Sequence, residues 1–328
     1  MTFRHLLSWK TLFYDGLIPA LQALPPAQAD AVLGAVGRVA AKWPARRIEL
    51  IRALERVKRS AGANWDVRET LRSLEANVPR FLARDRPLDG SDDAAFAARF
   101  DVRGEEHLRA ALDQGRGVIL AGCHLGAHLS APHWVYRQGL PLRMLIQRPR
   151  HVSRLLDERF DADGPNPQSG FFLRRYLTPD EASKRIFRTR SALREGTIVY
   201  LKADVPWTGP NTRPGRLLGY SRNFQSLWAE FAALFRAPVV PVFCTHLPRG
   251  RYALTFEPAW NVRRGEETEV VGRYLARLEA EILAKPADAV AHLLWPCYGP
   301  PEDEARFLAR KRKRSQVVVE AAETAVAA

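Results

Sequence analysis

Gly115-Arg-Gly-Val-Ile-Leu-Ala-Gly-Cys-His-Leu-Gly-Ala-His-Leu-Ser-Ala-Pro-His133 is the stretch from which the fold is read. A Gly-Arg-Gly turn leads into an apolar run, Val118 to Ala121, which a further glycine closes before Cys123 and three histidines follow. A continuous apolar run of this length between turn signals predicts a strand buried on both faces, the kind found in α/β sheets. Ligands and chemistry in such sheets collect beyond the C-terminal ends of the strands. His124 stands at that place, and the rest of the chain is read for what works with it.

The 328 residues suffice for one large α/β domain, or for a domain with a helical extension. With 50 Lys+Arg against 36 Asp+Glu, the formal charge of +14 predicts attraction to polyanions: nucleic acid, an anionic membrane surface or an acidic carrier protein. A genome-wide arginine bias is the alternative source of that excess. Cys123, Cys244 and Cys297 are far apart and form no CxxC pair, so neither a disulfide framework nor a zinc site is expected, and a reducing cytoplasm is the simplest compartment. A membrane span needs ~20 apolar residues. The most lipophilic N-terminal segment, Gly16 to Ala29, is shorter and is interrupted by Pro19, Pro25 and Pro26. Asp15 and the lack of an A-x-A site also argue against a cleaved signal peptide, so contact with a membrane is expected at its surface.

Residues 1–99 read as a helical region. Its first helix joins Leu6, Leu7, Trp9, Leu12, Phe13 and Leu17 on one face, with basic flanks. Such a helix suits a bilayer interface or packing against the main domain, and both stay open. From about Phe100, apolar runs alternate with helical periods. Strands are expected at Val118–Gly122, Leu142–Ile146, Thr197–Leu201, Val239–Cys244 and Tyr252–Phe256. Helices are expected around Ala127–Arg137, Arg154–Phe160, Glu181–Leu193, Ser226–Phe235 and Glu266–Leu283, and Pro206–Gly219 reads as a loop. The alternation predicts an α/β fold: a layered, mixed and largely parallel sheet flanked by helices, over residues 100–300. Residues 301–328 form a basic tail containing Arg310-Lys-Arg-Lys-Arg314.

Several chemistries are excluded by motif. No GxGxxG or GxxxxGK[ST] phosphate loop, GxSxG elbow or HExxH site occurs, so no cofactor is expected. His124 and His128 would share a helix face at i, i+4, a metal-ligating spacing, but no third ligand lies nearby and no metal is assigned. Cys123 beside His124 offers a thiol nucleophile, yet neighbours on a strand point to opposite faces. No nucleic-acid module accompanies the basic tail, so nucleic acid is not an expected partner.

An ordered set of segments resembles the bacterial lipid A biosynthesis acyltransferases, of the lysophospholipid acyltransferase-like superfamily. The set is Gly115 to Gly126, Arg148-Pro149, Leu193-Arg-Glu-Gly-Thr-Ile-Val-Tyr-Leu-Lys-Ala-Asp204, Leu217-Leu-Gly219, Trp228 to Phe235 and Ala237-Pro-Val-Val-Pro-Val-Phe243. The likeness extends from about residue 10 to residue 295. It implies a glycerolipid acyltransferase-like fold and an enzyme that moves a fatty acyl chain from an acyl thioester, on acyl carrier protein or coenzyme A, to a hydroxyl of a lipid A-type or other membrane lipid acceptor. It also implies a peripheral place on the cytoplasmic face of the inner membrane, where carrier protein and anionic lipid suit the positive charge. By position His124 matches the family's catalytic histidine and Asp204 an aspartate after a later strand. Arg148 and Arg159 fall where the family uses arginines, Gly219 ends the family's turn, and His128 is a further substrate-binding candidate. The family pairs its histidine with a carboxylate five residues on; here that residue is Leu129. Three readings follow: another carboxylate, with Asp204 leading, replaces the partner; the chemistry rests on His124 with His128 or His133; or the chain is a weak or inactive relative that binds lipid or carrier protein.

Overall fold

A computed structural model of the chain describes residues 9–41, 47–146, 172–174 and 179–299. Helices α1 (Trp9–Thr11), α2 (Ile18–Gln22), α3 (Pro26–Ala40), α4 (Arg47–Ala61), α5 (Val67–Ala83) and α6 (Asp93–Ala97) come first. They are followed by β1 (Phe100–Arg103), α7 (Glu105–Leu112), β2 (Val118–Gly122), α8 (Ser130–Arg137), β3 (Leu142–Ile146), β4 (Phe172–Arg174), α9 (Pro179–Arg194) and β5 (Ile198–Lys202). The remainder is β6 (Thr212–Leu217), β7 (Tyr220–Gln225), α10 (Leu227–Phe235), β8 (Val239–Leu247), β9 (Arg251–Phe256), α11 (Glu267–Ala284) and α12 (Val290–Leu294).

The fold is α/β, with a mixed, mostly parallel seven-stranded sheet in the order β1-β9-β8-β2-β5-β3-β4. Only β8 and β9 pair antiparallel; every other neighbour in this sheet is parallel. The strand from the opening stretch, β2, lies at the centre with all five residues buried. Alternation along the strands sorts two cores. Ile119, Ala121, Val199, Leu201, Val239 and Phe243 face a core completed by α4, α5, α10, α11 and α12. Val118, Leu120, Ile198, Tyr200, Val240 and Val242 face another, completed by α7 and α8. Burial of both faces is why these strands read as continuous apolar runs and not as alternating ones.

The helical N-terminal region is not detached from this body. Leu54 and Val57 of α4 and Leu71, Leu74 and Phe81 of α5 belong to the same core as the central strands. A bidentate pair between Arg80 of α5 and Asp30 of α3 (Nε–Oδ1 2.6 Å, Nη2–Oδ2 3.1 Å) ties the helices together. No helix among the described residues is long and apolar enough to cross a membrane.

Two expectations need correction. The expected loop over 206–219 contains β6, which pairs antiparallel with β7 through Leu217↔Tyr220. Its Pro- and Gly-rich composition hides a strand that lies outside the main sheet. The helix after His124 starts at Ser130, not near Ala127, so His124 and His128 lie in a turn and do not share a helix face. Strands β1 and β4, of 4 and 3 residues, are too short for a periodic signal. The expected helix over 154–160, Arg148, Arg159, the first eight residues and the basic tail lie outside the described residues.

Candidate active site

The parallel register of β2 and β5 pairs Gly122 with Lys202. Two residues further along each strand stand His124 and Asp204, so the sheet itself brings them side by side. The chain then bends sharply, and Gly126 takes φ +53°; a Cβ there would meet the Cys244 carbonyl oxygen of β8 at 2.7 Å. This close approach lets Ala127 N–H donate to that carbonyl at 2.9 Å and fixes the histidine turn against the sheet.

Asp204 is fully buried and receives His124 at two points. The His124 backbone N–H donates to Oδ2 at 2.7 Å, and the ring Nδ1 lies 3.0 Å from Oδ1. His292 Nε2 reaches Oδ2 at 2.8 Å, and the Tyr298 hydroxyl donates to it at 3.4 Å while lying 3.3 Å from His124 Nδ1. Burial raises the Asp204 carboxyl pKa, but the His124 charge and the hydrogen bonds from His124 and His292 outweigh it and hold the group well below the carboxylate range. An ionised carboxylate only accepts, so Nδ1 of His124 carries a proton, and in the neutral form of the ring the lone pair is on Nε2. No described residue engages that Nε2, and 23% of the His124 side chain is exposed.

Around the pair, aromatic rings form a wall. His128 and Trp295 stand 5.5 and 6.1 Å from the His124 ring, and Phe81 packs against both at 4.8 and 5.4 Å. Burial, then the nearby charges of Lys202 and His124, pushes His128 well below the ordinary histidine range, so it is neutral. Beneath the turn lies a partly buried cation. Lys202 Nζ donates to the carbonyls of Cys123 and His128 and to the Tyr200 hydroxyl, which itself donates to His128 O at 2.6 Å. One ammonium thus holds both ends of the turn that carries His124. Burial pushes Lys202 down to about 8.

The other sequence candidates fall as follows. Leu129 is packed in the α7–α8 core, and the carboxylate at His124 comes from Asp204 instead. His133 is engaged elsewhere: its Nδ1 meets Asp85 at 3.0 Å and its ring stacks on Phe96. Gly219 closes the β6–β7 turn against Ser60 of α4, and no contact among the described residues joins it to His124. Burial pushes the Cys123 thiol up to about 12, which removes it as a nucleophile. No cluster of three or more His, Cys, Asp or Glu suited to a metal occurs among the described residues. His292, Tyr298, Lys202 and Trp295 escape sequence reading, because each reaches the site only through tertiary packing; His292 is 88 residues from Asp204.

Comparison with known proteins bears on what this arrangement does. The family model described as bacterial lipid A biosynthesis acyltransferase matches residues 1–291. Phosphatidylinositol mannoside acyltransferase of Mycolicibacterium smegmatis (strain ATCC 700084 / mc(2)155) is 25% identical over 279 residues, covering 84% of this chain and 87% of that protein.

Proposed function

Since the chain belongs to the bacterial lipid A biosynthesis acyltransferase family and is thereby a lipid acyltransferase, we propose that His124 is its general base, with Asp204 as partner. In this reading Nε2 takes the proton of an acceptor hydroxyl as the oxygen attacks the carbonyl carbon of an acyl thioester. The tetrahedral intermediate collapses with loss of the C–S bond, and the leaving thiolate takes the proton from the His124 imidazolium. The products are an ester and a free thiol. Asp204 keeps the ring in the Nδ1–H tautomer and stabilises the imidazolium.

The observation that carries the proposal is the His124–Asp204 pair with Nε2 left open, beside the aromatic wall of Phe81, His128 and Trp295. Such a wall suits an apolar chain. The donor is an acyl carrier protein or coenzyme A thioester and the acceptor a membrane lipid bearing a free hydroxyl. The enzyme works from the cytoplasmic face of the inner membrane as a peripheral protein, a placement supported by the +14 charge and by the exposure of Trp9 and Leu12. Arg148 and Arg159 are proposed phosphate or carbonyl contacts, on the family resemblance alone, and the same holds for Gly219 and His128 as substrate contacts.

Purified protein incubated with radiolabelled acyl carrier protein or acyl-coenzyme A and a panel of lipid acceptors tests this. Acylated lipid is expected, falling by about 10²–10⁴ in His124→Ala and in Asp204→Asn, which presents a donor to Nδ1 and forces the wrong tautomer. Lipid or carrier binding with no product from any acceptor would instead establish a non-catalytic binder.

A further inference from the structure

Lys202 ends β5 two residues before Asp204, and the two side chains grip one peptide unit from opposite sides. The carbonyl of Cys123 and the N–H of His124 belong to the same planar peptide and point in opposite directions. Lys202 Nζ donates to that carbonyl, while Asp204 Oδ2 accepts that N–H at 2.7 Å. An ammonium thus stands at the negative end of the peptide dipole and a carboxylate at the positive end. Both charges favour this orientation, and both oppose a flip, which would aim the carbonyl at the carboxylate.

The same nitrogen fixes the far end of the turn. It donates to the His128 carbonyl at 3.2 Å and to the Tyr200 hydroxyl at 2.6 Å, and that hydroxyl donates onward to the His128 carbonyl at 2.6 Å. Between the two ends the turn is held through its N–H groups: Gly126 donates to the Asp288 carbonyl and Ala127 to the Cys244 carbonyl, both at 2.9 Å. An ammonium has three N–H donors, and three acceptors take them here. A neutral amine has two and turns a lone pair towards the third acceptor, so only the charged form completes the set. Facing Lys202 are Asp204 and Tyr200 from its own strand and its extension, Cys123, His124 and His128 of the turn, Cys244 of β8, Arg84 at the end of α5 and His292 of α12. Burial lifts both thiols and the Tyr200 hydroxyl above their ordinary values and lowers His128 and His292, while Asp204 stays ionised. Lys202 is different: burial, opposed by the Asp204 charge, brings it to about 8.

We propose that Lys202 is a positioning residue for acyl transfer: its ammonium fixes the Cys123–His124 peptide, and through it the His124–Asp204 geometry, so turnover is lost when Lys202 releases its proton to solvent. This rests on His124 being the general base. Lys202 reaches no substrate itself; it acts through the backbone of the histidine.

Turnover measured between about pH 7 and pH 9.5 in the native chain, Lys202→Met and Lys202→Arg tests the proposal. Native kcat should fall as the pH passes about 8, with KM changing by less than about twofold. Lys202→Met, an apolar side chain of similar length, should lower kcat by about 10² at pH 7, the scale of a misplaced catalytic group, and remove the alkaline limb. Lys202→Arg is charged at every pH used and should also lack the limb. A flat native profile, or a limb that persists in either variant, would overturn the proposal. Backbone amide exchange on the full chain needs no acyl transfer. Protection of the His124 N–H should drop at least about tenfold in Lys202→Met, and in the native chain above about pH 8, while the Ile119 and Ile198 amides, bonded to the Pro238 and Pro141 carbonyls, keep theirs. Loss at all three amides would mark general destabilisation, and unchanged protection at His124 a peptide held without Lys202; either result rejects the positioning role. If Lys202→Met does not fold, the native chain decides: turnover and His124 protection must decline through the same pH. Absence of acyl transfer in the native chain, or transfer that survives in His124→Ala, would instead reject the general-base reading, and the exchange experiment would still decide whether Lys202 holds the peptide.

Discussion

At Asp204 two effects of opposite sign meet. Stripping water from a carboxylate costs several kcal/mol, while the donors around it favour its charge. The donors win, so the folded pKa lies below the ordinary value of 3.8. A group whose folded pKa is depressed contributes stability that is complete above the unfolded pKa and is lost as pH falls through the folded one. Urea midpoints measured from pH 5 down to pH 2 should therefore decline in the native chain, starting near the unfolded value, and the decline should be shallower in Asp204→Asn. Parallel curves would mean that Asp204 carries no such linkage. The pairing behind this effect was half legible. Asp204 stands where an apolar strand opens into a loop, and His124 stands likewise, so each was readable from its own strand. That the two share a register position needed the β2–β5 pairing, and His292 and Tyr298 have no local signal at all, since a core histidine and a core tyrosine look alike in sequence whatever they touch.

The β6–β7 hairpin shows how an element escapes a pattern and still governs packing. Its two-residue turn, Leu218-Gly219, has φ +54° and +84°, as a type I′ turn demands. The Leu218 side chain is fully buried, and its carbonyl accepts the Ser60 hydroxyl of α4 at 2.7 Å. A Cβ on Gly219 would come within 2.5 Å of Ser60 Cβ and 2.7 Å of its carbonyl oxygen. Backbone strain and overpacking each cost about 1–3 kcal/mol, so Gly219→Ala should lower unfolding stability by roughly 2 kcal/mol or more in urea melts. A loss under about 0.5 kcal/mol would show that α4 yields to the turn. Elements buried on both sides, β2, β5 and β8, were legible because their apolar runs leave little choice of structure, and β9 was legible because its buried residues alternate with less buried ones. The hairpin was not, because Arg213, Pro214, Gly215 and Arg216 have the composition of a loop and only pairing with β7 makes a strand of them.

Charge and exposed apolar surface act together on the molecule as a whole. A net charge of +14 would draw the protein to an anionic bilayer, each basic group near the surface contributing about 1 kcal/mol. That attraction is screened: the Debye length shrinks from about 10 Å at 0.1 M salt to about 3 Å at 1 M. Trp9 and Leu12, 57% and 60% exposed, flank Lys10 on the N-terminal helices and would supply a contribution that salt does not screen. Burying a large apolar side chain in the interface yields about 1.5–3 kcal/mol, a tenfold or greater change in partitioning. The two contributions therefore separate in one sedimentation experiment with phosphatidylglycerol and phosphatidylcholine vesicles. Binding to the anionic vesicles should fall at least about tenfold between 0.1 and 1 M NaCl, leaving a residue that disappears in Trp9→Ser/Leu12→Ser. If the double variant binds as the native chain does at both salt concentrations, these helices do not touch the bilayer and the exposed face serves another partner; if salt has no effect, the charge excess is only compositional.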